Sequence, residues 1–97
     1  MRAKSYAVSP LAEIDLEEIW FYTLQTWSLD QADSYLRDLV ATFEGLASGT
    51  KRGREVDVRS DYLKCPAGSH MIYFRDEGDQ IAVIRVLHQR QDVSLHL

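Results

Sequence analysis

The last part of the chain holds the residue types that could do chemistry. An apolar run beginning at Ile81 gives way to two cations, an imidazole and a carboxylate: Arg85, His88, Arg90 and Asp92. Histidine exchanges protons near neutrality, with an unperturbed pKa of roughly 6.5, and arginine can bind a phosphate. The pattern is compatible with acid–base cleavage of RNA or with a binding surface. It is equally compatible with a hydrated strand end, in which Arg85 bonds carboxylates or carbonyls and His88 is hydrogen-bonded.

Other catalytic chemistries have weaker support. Cys65 precedes Pro66 and has no histidine nearby in sequence, so we expect a small buried residue rather than a nucleophile. The three histidines, at positions 70, 88 and 96, lack the spacing of zinc ligands, and no phosphate-binding glycine motif is present. We therefore assign no catalytic residue, no metal and no cofactor.

Length and composition predict one globular domain over residues 1–97, with 45% apolar and 27% charged residues. No apolar run approaches the roughly 18 residues of a membrane span, and no secretory signal is visible. Cys65 is the only cysteine, so an intramolecular disulfide is impossible. We expect a cytoplasmic protein without a membrane partner.

The charge is unevenly distributed along the chain. The net charge of −4 argues weakly against broad binding to nucleic acid. Residues 1–47 hold three basic and eight acidic groups, whereas residues 48–97 hold eight basic and seven acidic groups. The run Lys51-Arg-Gly-Arg54 lies in the more basic half. It is either a solvated loop or a nucleic-acid contact.

Two helices are predicted in the first half. Ser9-Pro10 is typical of a helix start, and this helix runs to about Thr26 with a core face that extends to Trp20 and Trp27. Ile14 and Phe21 lie on the opposite side, as ordinary exposed residues or as a partner contact. A capping box at Ser28–Gln31 begins a second helix, which runs to about Ala47 and ends before Gly49. The short connection predicts an antiparallel helical hairpin.

Strands are predicted on both sides of the helices. A short strand at 3–8 precedes them, residues 50–61 are polar without a period, and three strand candidates follow: Tyr62–Cys65, Ser69–Arg75 and Gln80–Leu87. With a turn at Asp76–Asp79, Phe74 pairs with Ile81 and His70 pairs with Arg85. Arg85 beside His70 would lower the histidine pKa. Both faces of this hairpin are apolar, so the face away from the helices needs partial cover. The order β-α-α-β-β-β predicts an α+β fold, with the helical hairpin packed on an antiparallel sheet.

Taken in order, several segments resemble the ParE toxins of type II toxin–antitoxin systems, within the RelE/ParE superfamily. The resemblance covers nearly the whole chain. It rests on residues 9–20, on Arg52-Gly53-Arg54, on residues 68–75 and on residues 84–93. Each segment alone is weak, but their order and spacing together are specific.

The resemblance implies a toxin that inhibits DNA gyrase by holding the gyrase–DNA cleavage complex. It implies neutralisation by a ParD-type ribbon-helix-helix antitoxin in a hetero-oligomer, a heterotetramer or larger, that reaches operator DNA only through the antitoxin. The antitoxin segment typically packs on the helical hairpin and sheet, which makes Ile14 and Phe21 candidate antitoxin contacts. Arg85, His88, Arg90 and Asp92 are the candidates for target inhibition, a binding activity rather than an enzymatic one.

Two other functions stay open. RelE ribonucleases of the superfamily cut messenger RNA on the ribosome, and Arg75, Arg85 and His88 fall near the places of their catalytic residues. The dense cationic set that an RNA phosphate needs is not evident in the sequence, and the net charge is negative, which favours gyrase. The third function is that of an inactive toxin retained as antitoxin partner and co-repressor.

Overall fold

The computed structural model describes residues 4–57 and 59–97. Two helices, α1 (Pro10–Thr26) and α2 (Leu29–Ser48), pack on one face of a five-stranded sheet. The sheet has the spatial order β1-β5-β4-β3-β2, with strands β1 (Ser5–Val8), β2 (Arg54–Val56), β3 (Arg59–Ala67), β4 (His70–Asp76) and β5 (Gln80–His88). A 3-10 helix, Val93–Leu95, follows β5. Within the described residues, no helix combines the length and apolarity needed to cross a bilayer.

The helix ends lie where the sequence predicts them. The Ser9 hydroxyl accepts the N–H of Ala12 at 3.0 Å, and the Ser28 hydroxyl accepts the N–H of Gln31 at 3.1 Å. Both contacts satisfy amide groups that lack a partner inside the helix. Gly49 ends α2 with φ of 85°, in the left-handed region that favours glycine.

The predicted α+β class is confirmed, and the sheet has two features that the sequence analysis did not supply. β1 pairs with β5 in parallel, so the sheet is mixed rather than wholly antiparallel. β2 lies within the polar stretch 50–61 and pairs with β3. A strand of three residues is too short to give a periodic signal. Residue 3, included in the predicted first strand, lies outside the described residues.

The predicted register between β4 and β5 is wrong. Ile81 pairs with Asp76 instead of Phe74, so the turn lies one residue later than predicted, and Phe74 pairs with Val83. A β-bulge opposite Tyr73 and Phe74 then leaves Ile84 without a partner. His70 consequently pairs with His88 instead of Arg85.

The start of α1 holds this bulge in place. The Ser9 hydroxyl donates to the carbonyl of Ile84 at 2.7 Å, and the Ser9 N–H donates to the carbonyl of Val83 at 2.9 Å. Ser9 therefore caps α1 and also donates hydrogen bonds to the backbone carbonyls at the bulge of β5. Its placement fixes α1 against the strand that carries Arg85 and His88.

Apolar residues fill both faces of the sheet. Leu39, Phe43, Ile72 and Val83 are fully buried between the helices and the sheet. A smaller cluster on the other face contains Val56, Tyr73 and Leu87. Val93 and Leu97 pack against that cluster, so the C-terminal residues provide the partial cover that the sequence requires.

Two predicted core residues of α1 are more exposed than expected. Trp27 is 73% exposed, because α1 ends at Thr26 and Trp27 leaves helical geometry with φ of −124° and ψ of −89°. Trp20 is half-buried, and its indole N–H donates to Oδ1 of Asp33 at 2.9 Å, which joins the two helices. The predicted outward placement of Ile14 and Phe21 is confirmed, with 48% and 55% exposure.

Candidate functional site

An ion pair between α1 and β5 is the centre of the candidate site. Asp15 is buried, and its carboxylate accepts from Nε of Arg85 at 2.8 Å and from Nη2 at 2.9 Å. The backbone N–H of Val86 donates to the same carboxylate at 2.9 Å. These bonds to Asp15 raise the pKa of Arg85 above its ordinary value. The bulge at Ile84 allows both Arg85 and the next amide to reach one carboxylate.

A second polar group joins α2 to the ends of β4 and β5. The Tyr35 hydroxyl lies 2.6 Å from Nδ1 of His70 and accepts the N–H of Ser69 at 2.9 Å. We assign the hydroxyl as the donor to Nδ1, because this contact is shorter than the one of 3.4 Å from the hydroxyl to the carbonyl of Ala67. The rings of His70 and His88 lie edge to face, with centroids 5.4 Å apart. Burial, and secondly the proximity of His88, lower the pKa of His70.

The expected direction of the His70 pKa is therefore confirmed, but the cause differs. The neighbouring strand contributes His88 instead of Arg85, because of the bulge and the shifted turn. Burial is the larger cause, since the charged imidazolium loses hydration between α2 and the sheet.

A cleft between α1 and the end of β5 brings these groups together. It is lined by Asp15, Glu18, Ile19, Tyr22, His70, Arg85, Val86, Leu87, His88, Gln91 and His96. Two of the four candidate target residues, Arg85 and His88, thus share one cleft. Arg90 and Asp92 do not line it.

The other two candidates have different surroundings. Arg90 is exposed, and its backbone N–H donates to Nδ1 of His88 at 3.1 Å. Asp92 caps the 3-10 helix, where its Oδ1 accepts from the hydroxyl of Ser94 at 2.7 Å and from the N–H of Ser94 at 3.0 Å. These bonds lower the pKa of Asp92. Both side chains are exposed, and that of Asp92 is held by its bonds to Ser94.

The geometry limits what the cleft can do chemically. Nε and Nη2 of Arg85 are occupied by Asp15, and Nη1 contacts the carbonyl of His96 at 3.4 Å. A phosphate that used the Nε–Nη2 edge of Arg85 would have to displace this buried carboxylate. The interpretation of Arg85 as a residue that bonds carboxylates and carbonyls is confirmed. His88 is likewise hydrogen-bonded at the strand end, where its backbone N–H donates to Oε1 of Gln91 at 2.7 Å.

An apolar groove runs between the two helices on the outer side of the hairpin. Leu16 and Trp20 of α1 face Leu36 and Val40 of α2, and Glu13 and Glu17 form an acidic rim. The Phe21 ring packs edge to face on Trp20, with centroids 6.2 Å apart. The exposed Phe21 therefore adjoins the α1 side of this groove, which is a second candidate surface, and Ile14 is exposed on the same helix.

Two polar partners of the site residues were not predicted from the sequence: Asp15, which lines the cleft, and Tyr35, which bonds His70 behind it. Asp15 lies on the helix face of Ala12 and Ile19, and a carboxylate among core positions is a signal that could have found it. Tyr35 lies within the predicted second helix, but the partner that its hydroxyl needs is identified only by the fold. Cys65 is buried as expected, and burial raises the pKa of its thiol.

A helical hairpin on one face of a small mixed sheet is the architecture of solved toxin–antitoxin proteins. A chain of the chromosomal ParDE system from P. aeruginosa superposes with a TM-score of 0.77 at 18% identity, covering 89% of this chain and 96% of that chain. A chain of the RelBE2 toxin–antitoxin complex from Mycobacterium tuberculosis gives a TM-score of 0.60 at 18% identity, covering 91% and 100%. These structures define the RelE/ParE-like fold.

Sequence similarity narrows this class to one family. Residues 6–93 match the family described as the ParE toxin of the type II toxin–antitoxin system, parDE. Toxin ParE1 of Mycobacterium tuberculosis is 45% identical over 94 residues, covering 95% of this chain and 96% of its own length. Toxin ParE1 of Caulobacter vibrioides is 39% identical over 95 residues, covering 97% and 98%. The chain belongs to the ParE toxin family of type II toxin–antitoxin systems.

Proposed function

We propose that this ParE-family toxin acts in the cytoplasm by inhibiting DNA gyrase and is neutralised by a ParD-type antitoxin. The ion pair of Asp15 with Arg85 is the observation that favours a binding mechanism over RNA cleavage. It binds one edge of the guanidinium that would otherwise hold the phosphate, and it ties Arg85 to a buried carboxylate of α1. The toxin would hold gyrase in a state that the enzyme already visits, so it must bind the cleavage complex more tightly than resting gyrase.

The target surface would lie around the end of β5. His88 and Arg90 are exposed there, and the backbone N–H of Arg90 donates to Nδ1 of the His88 ring, so one short segment presents both an imidazole and a cation. Arg85 would act as a positioning residue, because Asp15 holds its guanidinium. Asp92 would do the same, because it caps the 3-10 helix that follows β5. This division of roles follows from which side chains are free to contact a partner.

A gyrase assay tests the proposal. Purified toxin, gyrase, ATP and supercoiled plasmid should give a dose-dependent rise in covalent gyrase–DNA product, and His88→Ala combined with Arg90→Ala should reduce it at least tenfold. Arg37→Ala, an exposed cation on α2, is the matched control. An unchanged level of covalent product and intact supercoiling with the wild-type toxin would reject gyrase as the target. Site-specific cuts in messenger RNA soon after induction would instead support the ribonuclease alternative.

The antitoxin is proposed to bind the groove between α1 and α2. Its apolar floor requires apolar side chains from the partner, and Glu13 and Glu17 on the rim favour flanking lysine or arginine. All four charged residues of α1 are acidic, so the charge preference extends along the helix. A ParD-type segment would cover the groove together with the exposed Ile14 and Phe21, in a heterotetramer or larger assembly. Operator DNA would be reached only through the antitoxin.

A further inference from the structure

Two cations lie directly opposite each other at the far edge of the sheet. Arg54 of β2 pairs with Lys64 of β3 in the antiparallel ladder, so their side chains project from the same face. Like charges in this arrangement destabilise a sheet, since opposite side chains are only about 4.5–5.5 Å apart. A fold that needed only stability would not place them there.

Neither cation is neutralised within the described part of the chain. The ion pairs found there are those of Lys4, Arg59, Arg75 and Arg85, and none reaches Arg54 or Lys64. Glu55, next to Arg54, alternates to the opposite face of β2 and pairs with Leu63. The charge of this pair is therefore directed outward.

Two further cations lie at the same edge but on the helix side of the sheet, where they line clefts beside α2. Lys51 and Arg52 are exposed in the connection from α2 to β2, and the described residues include no ion pair for either. We call Lys51, Arg52, Arg54 and Lys64 the cationic edge. Tyr73 of β4 pairs with Lys64, and Arg75 lies two residues further along β4, so its side chain projects from the same face as that of Lys64. The Nε atom of Arg75 is buried and has no hydrogen-bond partner.

The acidic groups of α1 do not cancel this charge. The acidic helix α1 contacts β5, and β4 and β3 separate β5 from β2. With strands about 4.8 Å apart, β2 lies roughly 14 Å from β5. This exceeds the screening length of about 8 Å at physiological salt, so the two charged regions act separately.

We propose that the cationic edge binds the phosphate backbone of duplex DNA. Gyrase acts on DNA, so the biological setting of this inference rests on the proposed function, whereas the binding itself requires no gyrase. The toxin would contact the DNA of the cleavage complex through the cationic edge and the enzyme through the end of β5. We expect the contact to be independent of DNA sequence, because contacts to phosphate oxygens carry no information about the bases.

Fluorescence anisotropy with a short labelled DNA duplex and the toxin alone tests the inference. The wild-type toxin should bind with a dissociation constant that rises steeply with salt. Arg54→Gln combined with Lys64→Gln should weaken binding roughly tenfold and lower the salt slope by about two, because two phosphates are no longer neutralised. Arg37→Gln removes a cation from α2 and should stay within about twofold of wild type. The double variant should also melt no lower than wild type, because it removes a repulsion.

Several outcomes would overturn the inference. One is equal DNA binding by the wild-type toxin and the double variant, and another is no binding of duplex at low salt. Tighter binding of a single-stranded RNA of equal length would assign the edge to RNA. If the double variant bound DNA normally but had a reduced antitoxin affinity, the edge would belong to an acidic protein segment. A wild-type toxin that binds DNA through this edge but does not poison gyrase would contradict only the proposed function.

Discussion

Asp15 of α1 and Arg85 of β5 form a two-pronged ion pair, with Nε–Oδ2 and Nη2–Oδ1 distances of 2.8 and 2.9 Å. Seventy residues of sequence separate the partners. The pair joins the acidic helix to the strand that carries the target candidates, and it accounts for the most conspicuous cation of the C-terminal segment without invoking a substrate.

Removing one member of this pair should be costly. Asp15→Asn leaves a largely desolvated guanidinium unpaired, so we expect the free energy of unfolding to fall by about 3 kcal/mol in urea denaturation. The double variant Asp15→Asn with Arg85→Gln should lose less than the sum of the single variants. Additive losses would show that the two side chains stabilise the fold independently.

His70 should make stability depend on pH. Its pKa is lowered in the folded protein, so the unfolded chain binds more protons between the folded pKa and about 6.5. Stability should therefore decrease as the pH falls below about 6.5 and level off below the folded pKa. Thermal unfolding from pH 7.5 to pH 5, in roughly half-unit steps, should show a smaller decrease for His70→Asn than for wild type. Parallel curves for the two proteins would contradict the assignment of His70 as the titrating group.

Gly53 should be required for packing rather than for backbone freedom. A Cβ at this position would lie 2.4 Å from Cζ of Phe74 and 3.1 Å from the carbonyl of Lys64. Gly53→Ala should therefore displace a buried ring and cost about 1–3 kcal/mol. Adding Phe74→Leu should make the Gly53→Ala change cheaper, because the smaller side chain leaves room. An equal cost of Gly53→Ala in both backgrounds would exclude this explanation.

The C-terminal cover of the sheet should depend on Val93. This side chain packs against the cluster of Val56, Tyr73 and Leu87, whereas Leu95 in the same 3-10 helix is 78% exposed. Val93→Asp should lower the free energy of unfolding by about 1–2 kcal/mol, and Leu95→Asp should change it by less than about 0.5 kcal/mol. Chemical denaturation of both variants measures the difference. Similar losses would mean that the segment does not cover the sheet in solution.

The exposed apolar side chains of α1 should contribute to antitoxin binding. Ile14→Asp and Phe21→Asp should each weaken the complex at least tenfold in calorimetric titration, because each introduces a buried, unpaired charge at the contact. Neither change should lower the melting temperature appreciably, since both side chains are about half exposed in the free toxin. Leu29→Asp, at an exposed apolar position at the start of α2, is the control. Wild-type affinity in both variants would place the antitoxin elsewhere.

Local patterns in the sequence were sufficient to predict the helices, the main strands, the fold class and the family. Ser9 with Pro10, the Ser28 capping box and Gly49 set the helix ends, because capping depends on neighbouring residues along the chain. The second helix and the apolar strand β5 are predicted from local periodicity in the same way. The order of the motifs then indicated a ParE-like toxin.

The polar contacts, in contrast, depend on how distant segments pack together. The bulge at Ile84 and the one-residue shift of the turn cannot be read from alternation, yet they pair His70 with His88 and direct Arg85 to Asp15. The cross-strand pairing of Arg54 with Lys64 likewise depends on β2, a strand that is too short to be predicted from the sequence. Periodicity specifies which face a residue occupies, but register and long-range contacts are set by the joint packing of elements that lie far apart in sequence.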